Sequence, residues 1–102
     1  MRLEYNHLIL LYSILMITAA QMRAARALLG IDQMRLAELS GVSLATIQRM
    51  EASEGNVRGV VDTLTKVVEA LNAAGIELIG EQQRSESGGR GVRLRDAAGP
   101  KP

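Results

Sequence analysis

The chain has no cysteine, no tryptophan and no phenylalanine, and its one histidine is His7. Lack of cysteine removes disulfides, thiolate metal sites and cysteine nucleophiles together. It also suits a reducing cytosol, so a cytoplasmic location is expected. One histidine cannot build a histidine-based metal site, and neither a metal nor a cofactor is expected. With Tyr5 and Tyr12 as the whole aromatic content, any core must be aliphatic. A large charge of one sign is missing too: 12 Lys+Arg oppose 11 Asp+Glu, a net charge of +1. Composition alone therefore points away from a strongly basic nucleic-acid binder. The apolar run from Leu8 to Ala20 is 13 residues long, short of the ~20 needed to span a bilayer. Arg2 ahead of that run faintly resembles a secretion signal, but Glu4 sits where such signals are positive. No membrane partner is expected.

What is present is 102 residues, 47% of them hydrophobic and 23% charged. That suits one small domain with tails and is too apolar for a fully disordered chain. A core is feasible but thin, because chains of this size bury only about two-thirds of their unfolded surface.

Four segments separate. Residues 1–17 are mostly apolar, without strand or helix alternation. Two readings stay open: a helix that packs on the domain or on a second chain, or upstream sequence with Met16 as the natural start. Apolar residues all round a helix ask for burial on several sides. A dimer contact is the best physical explanation of a genuine segment.

Residues 18–75 read as four helices. Thr18 with Gln21 three positions later forms a capping box, and the alanine-rich stretch after it favours helix. Met22, Ala25 and Leu29 mark its inward stripe, with Leu28 beside it, and Gly30 is a natural stop. Asp32 caps a second helix, Gln33 to Ser40, with Leu36, Ala37 and Leu39 as apolar positions. Ser43 caps a third, Leu44 to Ala52, with Ile47 and Met50 inward. Ser53 to Gly59 is a polar loop. Asp62 caps a fourth helix, Thr63 to Ala74, whose Leu64, Val67, Val68 and Leu71 keep helical spacing. Residues 76–95 read as a β-hairpin, Ile76 to Ile79 against Val92 to Leu94, across a long polar loop. Such a hairpin is marginal alone and must pack on the helices or on a second chain's hairpin. Residues 96–102 read as a disordered tail.

The most informative stretch runs from Gln33 to Glu51. Two short helices that cross steeply over a tight turn need a small residue at the crossing, which Ala37 supplies. The turn needs a residue that accepts positive φ, which Gly41 supplies. Val42 plugs the core beside it. With Ile47 and Met50 inward, Leu44, Ala45, Thr46, Gln48 and Arg49 face mainly outward. An outward face on a projecting helix is what enters a DNA major groove.

Gln33, Leu36-Ala37, Gly41-Val42-Ser43, Thr46-Ile47 and Glu51, preceded by Ala24-Ala25-Arg26-Ala27-Leu28-Leu29-Gly30, resemble the phage-repressor-type (Xre-like) helix-turn-helix transcriptional regulators. The resemblance covers about residues 18–75. Ile31 stands where relatives often carry an aromatic residue, and the Ile76 strand replaces a fifth helix. The resemblance implies a mainly α, lambda-repressor-like bundle of four to five helices with a small C-terminal β-hairpin. It implies double-stranded DNA as partner. Gln33 would contact a phosphate or a nearby base, and Ser43 would bind phosphate. Leu44, Ala45 and Arg49 would face bases, with Thr46 and Gln48 beside them. Arg26 and Glu51 correspond to a structural ion pair. The function implied is a transcriptional repressor acting as a homodimer on a two-half-site operator. Two other readings remain: an antitoxin that also covers a toxin, and a module that binds protein instead of DNA.

Catalysis is not expected. Ser43 has no histidine or carboxylate partner suggested by the sequence. Gly88-Gly89-Arg90-Gly91 lacks the Lys-Ser/Thr end of a phosphate loop. The near-zero net charge has a local counterpart. Residues 16–75 carry six cations and six anions. The helical unit must rely on where a few charges sit, which predicts modest non-specific affinity and a shallow salt slope.

Overall fold

A computed structural model of the chain describes residues 8, 11, 13–80 and 88–96. An N-terminal helix, α1, includes residues 8, 11 and 13–16. After it come α2 (Ala19–Leu29), α3 (Gln33–Ser40), α4 (Leu44–Glu51) and α5 (Val61–Ala73). Strands β1 (Ile76–Ile79) and β2 (Gly91–Leu94) then pair antiparallel. The protein is thus mainly helical with a small two-stranded sheet near its C-terminus. Among the described residues, no helix is long and apolar enough to cross a membrane.

Side-chain caps set three of the helix starts. The Thr18 hydroxyl accepts from the Gln21 N–H at 3.0 Å, and the Gln21 side chain accepts in return from the Thr18 N–H at 3.0 Å. Asp32 and Ser43 accept from the N–H groups of Arg35 and Thr46 at 2.8 and 3.1 Å. Each such cap contributes about 1 kcal/mol. Gly30 and Gly41 close α2 and α3 in the left-handed region, at φ 70° and 75°. α5 departs from the sequence expectation. It starts at Val61, and Val60 precedes it with no side-chain cap. Asp62 lies inside the first turn, where its charge meets the positive helix end, and its carboxylate lies 3.4 Å from Lys66 Nζ. α4 stops at Glu51, with Ala52 as its C-cap. β2 begins one residue early, at Gly91.

The core is aliphatic and thioether. Met22, Leu36, Ile47, Met50, Val67, Leu71 and Ile76 are no more than 1% exposed. Burying each such side chain stabilises the fold by about 1.5–3 kcal/mol. α2 packs on α4 and on both strands, α3 packs on α4 and α5, and α5 packs on β1. The hairpin therefore meets its need for support within one chain. Leu28 and Leu39 stand 45% and 42% exposed, so the inward stripes of α2 and α3 are narrower than their sequences imply. Ile14 and Ile17 join the core, so the apolar segment before Thr18 contributes to the domain.

In the hairpin, Ile76 pairs with Leu94 and Leu78 with Val92. Glu77 and Arg93 are also partners, joined by a salt bridge at 3.1 Å. The loop after α4 is tied down by backbone bonds. Val57 N–H donates to the Ile17 carbonyl at 2.9 Å, and Ala19 N–H to the Gly55 carbonyl at 3.1 Å. Expectations for His7, for most of the hairpin loop (81–87) and for the tail beyond Asp96 lie outside the described residues.

Candidate nucleic-acid interface

α3 and α4, eight residues each, are joined by Gly41-Val42-Ser43. Val42 is half-buried against the core, as is Ala37. α4 is divided sharply. Ile47, Met50 and Glu51 are buried. Ser43, Ala45, Gln48 and Arg49 are exposed, whereas Leu44 and Thr46 are only partly so. Turns of about 3.6 residues explain the division, since positions 47, 50 and 51 share one face. The outward group thus combines a small apolar residue, an amide and a guanidinium. Arg49 is exposed, as are Arg35 and Arg58 on neighbouring elements. Arg35 is engaged with Glu38 at 3.0 Å.

Ser43 is busy. Its hydroxyl caps the Thr46 N–H and also lies 2.9 Å from the Thr46 hydroxyl. Any anion at this helix end would meet the remaining first-turn N–H groups beside the Ser43 hydroxyl.

Beneath the exposed face lies an ionic anchor. Arg26 donates to the Glu51 carboxylate through Nε and Nη2, at 2.7 Å each. Gln33 Nε2 adds a third bond to the same carboxylate at 3.0 Å. One carboxylate thus holds together α2, α3 and the end of α4. The Glu51 side chain is 3% exposed, against 19% for Arg26. Burial pushes the Glu51 carboxyl upward, but the bonds from Arg26 and Gln33 and the nearby cationic charges win, and it lies below its ordinary value. The same hydrogen bonds raise Arg26 against the opposing effect of burial. Arg23 donates to the Glu51 carbonyl at 2.6 Å, a cation at the negative end of α4.

The sequence-derived group divides accordingly. The structure brings Ser43, Ala45, Gln48 and Arg49 to one exposed surface, with Leu44 and Thr46 at its edge. Gln33 lies apart from that group in its bonding, since its amide is turned to Glu51. Two supporting residues were missed. Arg23 bonds a carbonyl 28 residues away, a contact with no local signal in the sequence. Gln21 reads as a capping residue only, yet its Nε2 also donates to the Ile79 and Gly91 carbonyls at 3.1 and 2.9 Å. That amide fastens the loop end of the hairpin to the start of α2. Among the described residues, no group of His, Cys, Asp and Glu could hold a metal ion.

Compared with protein-family models, curated proteins and solved structures, the chain matches none of them.

Proposed function

We propose that this protein is a sequence-specific DNA-binding regulator of transcription. It carries a lambda-repressor-like helix-turn-helix unit, works as a homodimer in the cytoplasm, represses more readily than it activates, and catalyses no reaction. The observation that carries this reading is the division of α4. Its inner residues Ile47, Met50 and Glu51 lock it to the domain, while Ser43, Ala45, Gln48 and Arg49 are left to solvent. A helix about 10–12 Å across fits the major groove, about 12 Å wide.

In that pose Arg49 bonds O6 and N7 of a guanine, Gln48 and Thr46 reach neighbouring base edges or phosphate, and Leu44 and Ala45 touch thymine methyls. Ser43 and the first N–H groups of α4 take a phosphate. Gln33 contributes mainly by holding Glu51, and α4 with it. A phosphate contact from Gln33 needs its amide to leave that carboxylate. One short helix with a single arginine reads few base pairs. Two copies on half-sites about 34 Å apart supply the rest.

The test is selection of duplexes from a randomised library, followed by gel shift of the winner and of unrelated DNA at two salt concentrations. A selected sequence bound far more tightly than random DNA supports the reading. No shift even at low salt sinks it. Recovery of a protein partner in that case favours a protein-binding module, or an antitoxin if the partner is a toxin.

A further inference from the structure

The last turn of α4 is closed by two different means. Its Gln48 and Arg49 carbonyls accept from the Ala52 N–H at 3.1 and 3.2 Å, and its Met50 carbonyl accepts from the Ser53 N–H at 3.2 Å. The Glu51 carbonyl, one of the terminal groups with no partner inside its own helix, is met from α2 instead, by Arg23 Nη1 at 2.6 Å. Arg23 and Arg26 stand three residues apart on α2 and so share a face. Arg23 holds the main chain of Glu51, and Arg26 holds its carboxylate. Met22 and Ala25, the residues just before these two arginines, are 0% exposed, so the platform that carries both is locked into the core.

Arg49 leaves α4 from the same last turn. It lies two residues before Glu51, about 200° round the helix axis, so Arg23 grips α4 from behind the residue that faces outward. Arg23 itself is exposed, and its removal opens no cavity. We infer that Arg23 is a positioning residue for base selection: by fixing the main chain at the end of α4 it sets the direction in which Arg49 meets a base pair. The inference rests on the DNA-binding reading. Two hydrogen bonds to one guanine hold only within about 2.7–3.2 Å, so a small shift of the last turn breaks them. Attraction between a guanidinium and phosphate tolerates such a shift. Loss of Arg23 therefore costs selectivity before it costs general affinity.

The test compares the full chain with Arg23→Met and Arg23→Lys in competition gel shifts. The duplexes are the selected sequence, its single-base variants and random DNA. Methionine keeps an unbranched apolar stem without the donor, and lysine restores a donor that can reach a carbonyl. Arg23→Met should weaken binding to the selected duplex at least about tenfold, with random DNA changed by less than about twofold. The lost preference should fall at the base pair that Arg49→Ala relaxes, and the double substitution should cost little more than Arg49→Ala alone. Arg23→Lys should recover most of the preference. Without DNA, amide exchange of Ala52 and Ser53 should accelerate in Arg23→Met while that of α3 does not. Parental selectivity in Arg23→Met overturns this inference alone. So does an equal loss on selected and random duplexes with a shallower salt slope, which makes Arg23 a phosphate contact. So does uniform acceleration of exchange, which makes it a general support of the fold. A parent chain that selects no duplex overturns the DNA-binding reading, and base selection by Arg23 falls with it.

Discussion

The Glu51 carboxylate receives Arg26 Nε on one oxygen and Arg26 Nη2 on the other, both at 2.7 Å. The two partners are not equivalent. Glu51 is almost wholly enclosed, whereas Arg26 keeps 19% of its side chain in water. Removing Arg26 strands a buried anion. Removing Glu51 leaves a cation that still reaches solvent and the Ile31 carbonyl, 3.3 Å away. Arg26→Met should therefore cost about 3–5 kcal/mol at neutral pH, and Glu51→Ala less, about 2–3 kcal/mol. Urea denaturation of both variants measures the order. Equal losses would show that the enclosure of Glu51 does not govern the pair.

The same pair sets an acid limit. In the folded chain the Glu51 carboxyl lies below its ordinary value of 4.5, because hydrogen bonds and cations outweigh burial. A lowered folded-state value means that folding favours the charged form. The contribution is full above the unfolded value and is lost as pH falls through the folded one. Stability should fall on acidification below about pH 4.5, and Glu51→Gln should flatten that fall. The deficit of Arg26→Met should shrink at low pH, where its stranded carboxyl takes up a proton. Thermal melts across pH 2.5–7 check both, and a Glu51→Gln curve parallel to the parent would assign the acid sensitivity to other carboxylates.

A turn at Gly41 allows a cleaner backbone test. Its φ is 75°, and a Cβ placed there meets nothing within 4 Å. Substitution costs only the left-handed conformation, with no steric clash. Gly41→Ala should lose about 1–2 kcal/mol, and Gly41→Asn less, since asparagine tolerates that region. Chemical denaturation distinguishes this from overpacking, which would make the larger asparagine worse than alanine.

Local chemistry made much of this fold legible, and nonlocal bonds account for most of what was not. Thr18, Asp32 and Ser43 each act within three residues, so the starts of α2, α3 and α4 could be read directly. α5 could not be placed so well. Val60 ends the preceding loop in extended backbone, and its carbonyl simply accepts the Leu64 N–H at 3.1 Å. Nothing in a valine advertises that, and Asp62 looked like the cap. Periodicity located the inward stripes but not their width, hence the exposed Leu28 and Leu39. The outward residues of α4 followed from Ile47 and Met50 alone. Gln33 turning to Glu51 across 18 residues did not, nor did Gln21 reaching 58 and 70 residues along the chain.

Gln21 offers a test of how the hairpin is held. Its amide bridges the carbonyls of Ile79 and Gly91, which are partners in the strand register. Gln21→Met keeps the volume but leaves two carbonyls without this donor and breaks the capping box. The expected loss is about 2–3 kcal/mol, with roughly 1 kcal/mol from the cap and the rest from the carbonyls. Gln21→Glu keeps the cap acceptors but donates nothing at neutral pH, so it should fray the hairpin selectively. Amide exchange of β1 and β2 should then accelerate more than that of α4. Uniform acceleration across the domain would mean that Gln21 serves global packing and not the hairpin.

Arg49 carries the sharpest functional expectation. It is exposed on α4, its partial neighbours Leu44 and Thr46 are less so, and no other cation lies in the helix. On the DNA-binding reading, a guanidinium that pairs with both O6 and N7 of guanine discriminates one base pair. Arg49→Ala should weaken binding to the selected sequence by about 1–3 kcal/mol and relax preference at one position only. Arg49→Lys should restore charge but not the two-pronged geometry, so it recovers affinity for random DNA more than selectivity. Competition gel shifts against single-base variants separate the two effects. If Arg49→Ala weakens selected and random duplexes equally, and lysine restores both, Arg49 touches phosphate. Base selection would then rest on Gln48 and Thr46.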